Sequence, residues 1–217
     1  MADSVAIAVD AAPAYVSRGG VKLANALDAF AFDPAGRSCL DVGASTGGFT
    51  DCLLKRGAEH VVTIDVAYGE LDWALRGDPR VTVLERVNAR SLDPSLLPYR
   101  PDLIVVDVSF ISLSKVLGSV LCAAADRFDC LALVKPQFEV GPGRVGKGGV
   151  VRSADERRAS LVAVGSWARS ARYAVLDYAS SRLPGPAGNR ESFVWIAEPG
   201  RLRDAPDLEA AARRAEP

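Results

Sequence analysis

The chain has 217 residues, 49% of them apolar, and a formal net charge of −1 at pH 7. These values are typical of one globular domain with a sizeable core. They argue against a strongly basic nucleic-acid-binding domain, although they are compatible with a local basic face. No apolar run approaches the roughly 18 residues that a membrane span needs, and the first 15 residues lack the basic start of a secretory signal. We therefore expect a cytoplasmic protein without a membrane partner.

Cysteine and histidine usage gives no sign of a metal site or a disulfide. Cys39, Cys52, Cys122 and Cys130 lie in apolar strand or helix patterns without paired spacing, and His60 is the single histidine. Buried thiols in a reducing compartment fit this pattern. We predict that the protein binds no metal.

Short apolar runs alternate with helical patterns along the chain. Such alternation predicts an α/β fold with a doubly wound, mostly parallel sheet of seven strands. The run DLIVVDV is apolar on both faces, as is typical of a central strand. No helix joins the last two strands, so we expect them to pair antiparallel at one edge of the sheet. The predicted strands cover 38–42, 61–65, 81–85, 102–107, 130–135, 173–179 and 192–197, and the predicted helices cover about 20–30, 47–56, 70–76, 112–126 and 153–171.

We divide the chain into an N-terminal extension (1–14), one folded domain (15–199) and a charged, alanine-rich tail (200–217). The tail has the composition of a loose helix or a disordered segment. We expect the tryptophans to pack in the core or at its edge rather than to stack on bases: Trp73, Trp167 and Trp195.

A glycine-rich turn follows the first predicted strand, in the stretch CLDVGASTGGFT (39–50). In a doubly wound sheet ligands bind beyond the carboxyl ends of the strands, where glycines let the backbone come close to a ligand. The spacing differs from the GxGxxG of dinucleotide-binding proteins, and Asp41 stands two residues before Gly43. An acid aimed into a ligand site suits a cation better than a pyrophosphate. This favours S-adenosylmethionine (AdoMet), with its sulfonium and ammonium groups, although the glycines alone are equally compatible with a tight structural turn.

Two further polar residues lie where the next predicted strands end. Asp65 follows the second strand and is placed to accept both ribose hydroxyls, and Asn88 follows the third and is placed to contact the adenine edge. Together with the glycine turn they favour an AdoMet site over a tight turn with strand-capping acids. The predicted cofactor-binding residues are Asp41, Gly43, Ala44, Ser45, Gly47, Gly48, Phe49, Asp65, Val66, Asn88 and Asp107.

Four polar residues form a second candidate set. Asp107 ends the fourth strand and Lys135 the fifth, so both are expected to open onto the ligand cleft; Lys22 and Glu191 lie in YVSRGGVKLANAL and GNRESFVW. The chain has 5 lysines against 21 arginines. A lysine, unlike an arginine, can lose its proton when it is desolvated or near another cation, and can then deprotonate an oxygen nucleophile. Taken singly, a surface Lys22, a structural Lys135–Asp107 ion pair and a solvated Glu191 are the alternatives.

Five motifs, in order, resemble the hemolysin-A-type (TlyA) methyltransferases of the FtsJ-like group, which are AdoMet-dependent ribose 2′-O-methyltransferases. The resemblance covers about 15–197 and rests on YVSRGGVKL, LDVGASTGGFTDCLL, DVSFISL, LVKPQFEVG and LPGPAGNRESF. It implies a Rossmann-like class I methyltransferase fold over 15–199, with AdoMet as methyl donor and S-adenosylhomocysteine as product. It also implies a catalytic tetrad in which one lysine deprotonates the acceptor hydroxyl and the other members tune or hold it: Lys135, assisted by Lys22, Asp107 and Glu191.

The resemblance implies RNA, usually ribosomal RNA, as the acceptor and partner. Family members that modify ribosomal RNA usually carry an N-terminal RNA-binding domain, and we expect that domain to be absent, since only 14 residues precede the matched region. Two acceptors stay open: an RNA ribose, reached through a partner or a basic track, and a small molecule in a closed apolar pocket. A pore-forming toxin, the third hypothesis, is disfavoured because the sequence shows no membrane segment. Residues that can supply part of a basic track are Arg18, Arg144, Lys147 and Arg152.

Overall fold

A computed structural model describes residues 13–141, 143–201 and 207–216. Within those ranges the strands are β1 (Ser38–Val42), β2 (His60–Asp65), β3 (Val81–Glu85), β4 (Leu103–Val106), β5 (Asp129–Val134), β6 (Ala174–Ser180) and β7 (Ser192–Ala197). They form a single seven-stranded sheet in the order β3-β2-β1-β4-β5-β7-β6. The predicted fold class and the seven predicted strands are confirmed.

Helices connect the strands and cover both faces of the sheet. They are α1 (Arg18–Phe30), α2 (Gly48–Lys55), α3 (Trp73–Arg76), α4 (Leu117–Cys122), α5 (Pro136–Glu139), α6 (Ala154–Ser170) and α7 (Leu208–Ala215). Serines cap the two longest helices: the Ser17 hydroxyl accepts the Gly19 N–H at the start of α1, and the Ser153 hydroxyl accepts the Glu156 N–H at the start of α6. These side chains satisfy backbone donors that would otherwise lack an intrahelical partner.

The first five strands run parallel, and β7 runs antiparallel to both of its neighbours. The register places Val134 opposite Ser192 in the β5–β7 pair and Ser180 opposite Ser192 in the β6–β7 pair. The expected antiparallel pairing of the last two strands is confirmed. In detail the reversed strand is β7, which lies inside the sheet, while β6 forms the edge.

Two apolar layers bury the sheet, and β4 contributes to both. Ile104 and Val106 pack with α4, α6 and α7 on one face, and Leu103 and Val105 pack with α1 and α2 on the other. All four side chains are fully buried, as expected for a central strand between two helical layers. Each contributes about 1.5–3 kcal/mol relative to an exposed side chain.

The C-terminal segment contains an ordered helix. The Asp207 carboxylate caps α7 by accepting the N–H groups of Glu209 and Ala210 at 2.9 and 3.2 Å. Of the two expected forms of the tail, a helix is confirmed for Leu208–Ala215 and disorder is wrong there. The helix is docked rather than loose, because its apolar side chains pack in the core. Residues 202–206 and 217, like residues 1–12 of the predicted N-terminal extension, lie outside the described residues. The α7 side chains that join the core are Leu208, Ala211, Ala212 and Ala215.

Glu216 anchors the end of this segment. Its Oε1 lies 2.8 Å from Arg157 Nε and 2.6 Å from Arg157 Nη2, and both side chains are buried. Arg157 Nη1 also donates to the carbonyl oxygens of Val151 and Arg152, at 3.3 and 2.7 Å. Glu216 therefore fixes, through Arg157, the segment that leads into α6.

Some expectations about individual side chains fail. Trp73 is 85% exposed on α3 and is not a packing residue, whereas Trp195 packs against Phe30 and Phe32 as expected. Cys122 is exposed, while the other three cysteines are buried, and all four are free thiols. Among the described residues, no helix is both long enough and apolar enough to cross a membrane.

Candidate active site

A cavity of about 280 Å³ opens beyond the carboxyl ends of β1, β4 and β5. This is the edge of the sheet at which parallel strands of a doubly wound fold present their ligand-binding loops. The cavity brings together all four members of the predicted tetrad with most of the glycine turn. Its lining residues are Ser17, Arg18, Gly19, Lys22, Gly43, Ala44, Ser45, Thr46, Gly48, Phe49, Asp107, Ser109, Lys135, Pro186 and Glu191.

Lys135 and Asp107 form the first ion pair of the cavity. Asp107 directly follows β4, Lys135 directly follows β5, and these strands are neighbours in the sheet. The Lys135 Nζ lies 2.5 Å from Asp107 Oδ1 and donates to Ser109 Oγ at 2.9 Å. The lysine amine therefore has two protein partners, and its position at the cavity wall leaves it accessible to a third group.

Lys22 and Glu191 form the second ion pair, which is more deeply buried. Lys22 lies on α1 and Glu191 directly precedes β7, and Lys22 Nζ is 2.5 Å from Glu191 Oε2. Gly185 packs directly on this carboxylate, since a Cβ at that position would lie 2.5 Å from Glu191 Oε1. The alternatives of a surface Lys22 and a solvated Glu191 are wrong, because α1 and the 181–190 loop enclose both side chains.

The glycines of the turn are required by the packing of the protein itself. Gly43 has a φ of +83°, and a Cβ there would lie 2.4 Å from the Asp107 carbonyl oxygen. A Cβ on Gly48 would lie 2.2 Å from Ser17 Oγ and 2.8 Å from the Gly20 nitrogen. Gly43 therefore lets β1 and β4 end side by side, and Gly48 lets α1 and α2 approach closely. The same two glycines line the cavity, so tight packing and ligand access coincide at this turn.

Asp41 lies beneath the turn and does not line the cavity. It is fully buried, and its Oδ2 accepts the Thr50 hydroxyl at 2.6 Å. Its Oδ1 accepts no hydrogen bond from the described protein groups. Burial raises the pKa of this carboxyl to about 7, and the Thr50 hydrogen bond opposes that rise. The expectation of an acid aimed into the cavity is therefore wrong.

Asp65 organises the neighbouring loops at the end of β2. Its Oδ2 accepts the Ser45 N–H and its Oδ1 accepts the Ala67 N–H, both at 2.8 Å. Ser45 has a φ of +47°, and the Ser45 hydroxyl contacts Glu70 Oε2 at 3.3 Å. Asp65 thus holds the glycine turn against the loop that follows β2.

The remaining predicted cofactor residues occupy different environments. Val66 is 68% exposed, and the exposed Asn88 uses its side-chain oxygen to accept the Arg90 N–H at 3.0 Å. Phe49 is buried and stacks against Phe193. Asp65, Ala44 and Ser45 border a second, much smaller cavity of about 10 Å³.

The sequence does not identify two residues that lie at or beside the cavity, Ser109 and Phe110. Ser109 belongs to no sequence pattern that marks it as a site residue, yet its hydroxyl accepts a hydrogen bond from Lys135. Phe110 is 90% exposed, has a φ of +63° and contacts the Phe138 ring at a centroid distance of 5.3 Å. Both lie in the motif DVSFISL, whose letters do not show which side chains face the solvent.

The sheet order, with β7 reversed beside a parallel sheet, and the glycine turn after β1 define a class I AdoMet-dependent methyltransferase. A solved AdoMet-dependent methyltransferase from Mesorhizobium loti shares this fold, with a TM-score of 0.57 over 80% of the chain and 96% of that structure at 14% identity. The sequence model of the FtsJ-like methyltransferase family matches residues 15–198. The chain belongs to the FtsJ-like methyltransferase family, in its TlyA group, as the resemblance of its motifs predicts.

Relatives in this family are similar over most of the chain. The 16S/23S rRNA (cytidine-2′-O)-methyltransferase TlyA of Mycobacterium tuberculosis is 51% identical over 99% of the chain and 81% of its own length. Hemolysin A of Brachyspira hyodysenteriae is 44% identical over 64% of the chain and 58% of its own length. A solved structure from Streptococcus thermophilus, classed with the hemolysins, superposes with a TM-score of 0.88 at 34% identity, over 95% of the chain and 76% of that structure.

Proposed function

We propose that the protein transfers the methyl group of AdoMet to the 2′-hydroxyl of a cytidine in ribosomal RNA. The observation that carries this proposal is the Lys135–Asp107 pair, with Ser109, in a cavity that also contains the glycine turn. The Mycobacterium tuberculosis relative is named for this reaction.

The residues around the glycine turn suit AdoMet. The turn offers backbone groups rather than phosphate-binding cations, and the Asp65 carboxylate borders the adjacent small cavity. We assign the cofactor to Gly43, Ala44 and Ser45 at the turn and to Asp65 at the ribose side. When bound, AdoMet supplies an activated methyl group and leaves as S-adenosylhomocysteine.

The chain's own contribution is to place the acceptor hydroxyl and remove its proton. Lys135 in its neutral amine form accepts the hydroxyl proton on its Nζ and becomes the ammonium partner of Asp107, while Asp107 and Ser109 hold that nitrogen in place. The Lys22–Glu191 pair also lines the cavity and orients the ribose by hydrogen bonding. Catalysis is then proton removal combined with positioning of the attacking oxygen.

The surroundings of the cavity suit an RNA strand better than a small molecule. The exposed Phe110 offers a face on which a base can stack. Arg18 lines the cavity, and further exposed cations lie on the loop before α6: Arg144, Lys147 and Arg152. Charged side chains line the cavity, and the named relatives modify rRNA, so the small-molecule alternative is not favoured. An rRNA substrate also implies a cytoplasmic location.

The test is transfer of a tritiated methyl group from AdoMet to purified 30S and 50S subunits, with a metabolite extract as a parallel acceptor. We expect label in rRNA, at a cytidine that becomes resistant to alkaline cleavage on its 3′ side. Incorporation should fall steeply with salt, since phosphate contacts dominate RNA affinity. Label confined to the metabolite fraction would contradict the proposal.

A further inference from the structure

We propose that Glu139 is a positioning residue that fixes the loop after β4 against the segment after β5, and so holds Lys135 and Asp107 in register. Glu139 belongs to the motif LVKPQFEVG, and the reaction described above gives it no role. The inference rests on the proposed function in one respect, since it concerns the geometry of the residue assigned as the base.

The Glu139 carboxylate accepts two hydrogen bonds from the loop after β4. Ser112 Oγ donates to Glu139 Oε2 at 2.7 Å, and the Leu113 N–H donates to Glu139 Oε1 at 2.8 Å. Ser112 also caps the short 3₁₀ turn at Leu113–Lys115. One carboxylate thus holds both the side chain and the backbone of the start of that turn.

These bonds close a ring that contains the candidate catalytic pair. Lys135 lies four residues before Glu139, and Asp107 lies five residues before Ser112. At one end of the ring Lys135 contacts Asp107 and Ser109, and at the other end Glu139 contacts Ser112 and Leu113. Between the two ends, the Phe110 and Phe138 rings touch. The two segments are therefore joined at three successive levels.

The two segments need such a brace because the sheet hydrogen bonds of the β4 end stop at Asp107, whose N–H donates to the Val42 carbonyl oxygen at 2.9 Å. β4 ends at Val106 and β5 ends at Val134, and α5 is a single turn. Phe110 has a φ of +63°, a conformation that persists in a non-glycine residue when surrounding contacts impose it. Burial raises the pKa of Glu139, and its two hydrogen bonds oppose that rise, as expected for a carboxylate committed to internal donors.

The experiment compares Glu139→Ala, Glu139→Gln and Ser112→Ala with a control variant, Glu198→Ala. Glu198 also accepts a backbone N–H from another segment, Phe128, at the opposite end of the sheet, and it differs from Glu139 in being paired with Arg201. A glutamine at 139 can still accept the Leu113 N–H and can donate to the Ser112 hydroxyl. We measure kcat and KM on ribosomal subunits, AdoMet affinity by calorimetry and backbone hydrogen exchange over 108–113.

We expect Glu139→Ala to lower kcat about 10–100-fold, since small misplacements of reacting groups have effects of that size. AdoMet affinity and subunit KM should stay within about 3-fold of the parent values. Ser112→Ala should lower kcat less, Glu139→Gln should restore most of it, and exchange over 108–113 should rise in Glu139→Ala and not in Glu198→Ala.

Either of two results overturns the inference: kcat of Glu139→Ala equal to that of Glu198→Ala, or exchange over 108–113 unchanged by Glu139→Ala. Loss of kcat in Glu139→Gln as large as in Glu139→Ala would overturn it as well. If the parent protein methylates no rRNA, the proposed function fails by itself, and the exchange measurement still decides whether Glu139 braces the loop.

Discussion

The two lysine–carboxylate pairs of the cavity have the same N–O distance and different surroundings. In the Lys22–Glu191 pair the side chains are 7% and 1% exposed, whereas in the Lys135–Asp107 pair they are 12% and 23% exposed. The first pair joins residues 169 positions apart and is closed in by protein. The second joins two adjacent strand ends and keeps a side open to the cavity.

This difference in burial predicts different roles for the two pairs. In a buried ion pair each charge offsets the desolvation cost of the other, and loss of one partner leaves the other buried and unpaired. The Lys135–Asp107 pair is less deeply buried, so loss of one partner leaves a charge that water can still reach in part, at a smaller cost in stability. We therefore expect Lys22–Glu191 to matter for stability as well as activity, and Lys135–Asp107 to matter chiefly for activity.

The largest expected effect is that of Lys135→Ala on methyl transfer. Loss of the proposed proton acceptor should lower kcat about 10²–10⁴-fold. The free energy of unfolding in urea should fall by less than the roughly 3–5 kcal/mol expected for a fully buried pair, because this pair is less deeply buried. Lys115→Ala is the control, since Lys115 is an exposed lysine on a neighbouring turn. Full activity in Lys135→Ala would remove this lysine from the mechanism.

Lys22→Met tests the buried pair. It leaves the Glu191 carboxylate buried without a cation and should lower the free energy of unfolding by about 3–5 kcal/mol, measured by urea denaturation. The double variant Lys22→Met, Glu191→Leu should recover most of that stability and remain inactive, because the cavity wall loses its polar groups. An active double variant would show that the pair serves the fold alone.

Asp41 shows what a buried carboxylate does without a cation. Because its pKa is raised to about 7 in the fold, the folded protein keeps a proton between pH 4 and 7 that the unfolded chain releases. The free energy of unfolding therefore falls as pH rises through that window. Asp41→Asn removes this effect. Relative to the parent, it should be more stabilising at pH 8 than at pH 5 by about 2–3 kcal/mol.

Thermal and urea unfolding at the two pH values measure this difference, with Asp51→Asn as a control in α2. Asp51 is also buried, and it differs from Asp41 in having a lysine partner, Lys55. An equal effect of Asp41→Asn at both pH values would mean that Asp41 ionises in the fold as readily as in the unfolded chain.

Local patterns predicted most of the sheet and the contents of the cavity. The bounds of β1, β3 and β7 agree with the predicted strands, because short apolar runs between turn residues leave few alternatives. Lys22 and Glu191 enter the predicted tetrad through the resemblance of the motifs to the TlyA methyltransferases. The positions of the glycine turn, Asp107 and Lys135 follow from the rule that parallel strands bind ligands at their carboxyl ends. That rule places Asp107 and Lys135 side by side without any knowledge of side-chain geometry.

The features that the sequence did not reveal depend on contacts between distant segments. Lys22 is buried because α1 packs against the loop before β7, and the hydrophobic periodicity of the sequence does not predict that tertiary contact. The exposure of Phe110 and Trp73 contradicts their apolar character, and the Ser112–Glu139 contact joins two motifs through side chains alone. The prediction that Asp41 faces the cavity is wrong for a related reason. Successive side chains of a strand point to opposite faces of the sheet, and the sequence position of Asp41 does not show which face it takes.

The α7 helix is part of the folded domain, because its apolar side chains complete the core. A polypeptide cut after residue 199 would expose the core surface that Leu208 and its neighbouring alanines cover, a patch prone to aggregation. It would also remove Glu216, the carboxylate partner of the buried Arg157 guanidinium. That guanidinium donates to the Val151 carbonyl oxygen, and the Val151 N–H donates to the side chain of Asn189, two residues before Glu191. Removal of a segment that looks dispensable by composition would thus disturb the part of the cavity lining that contains Glu191.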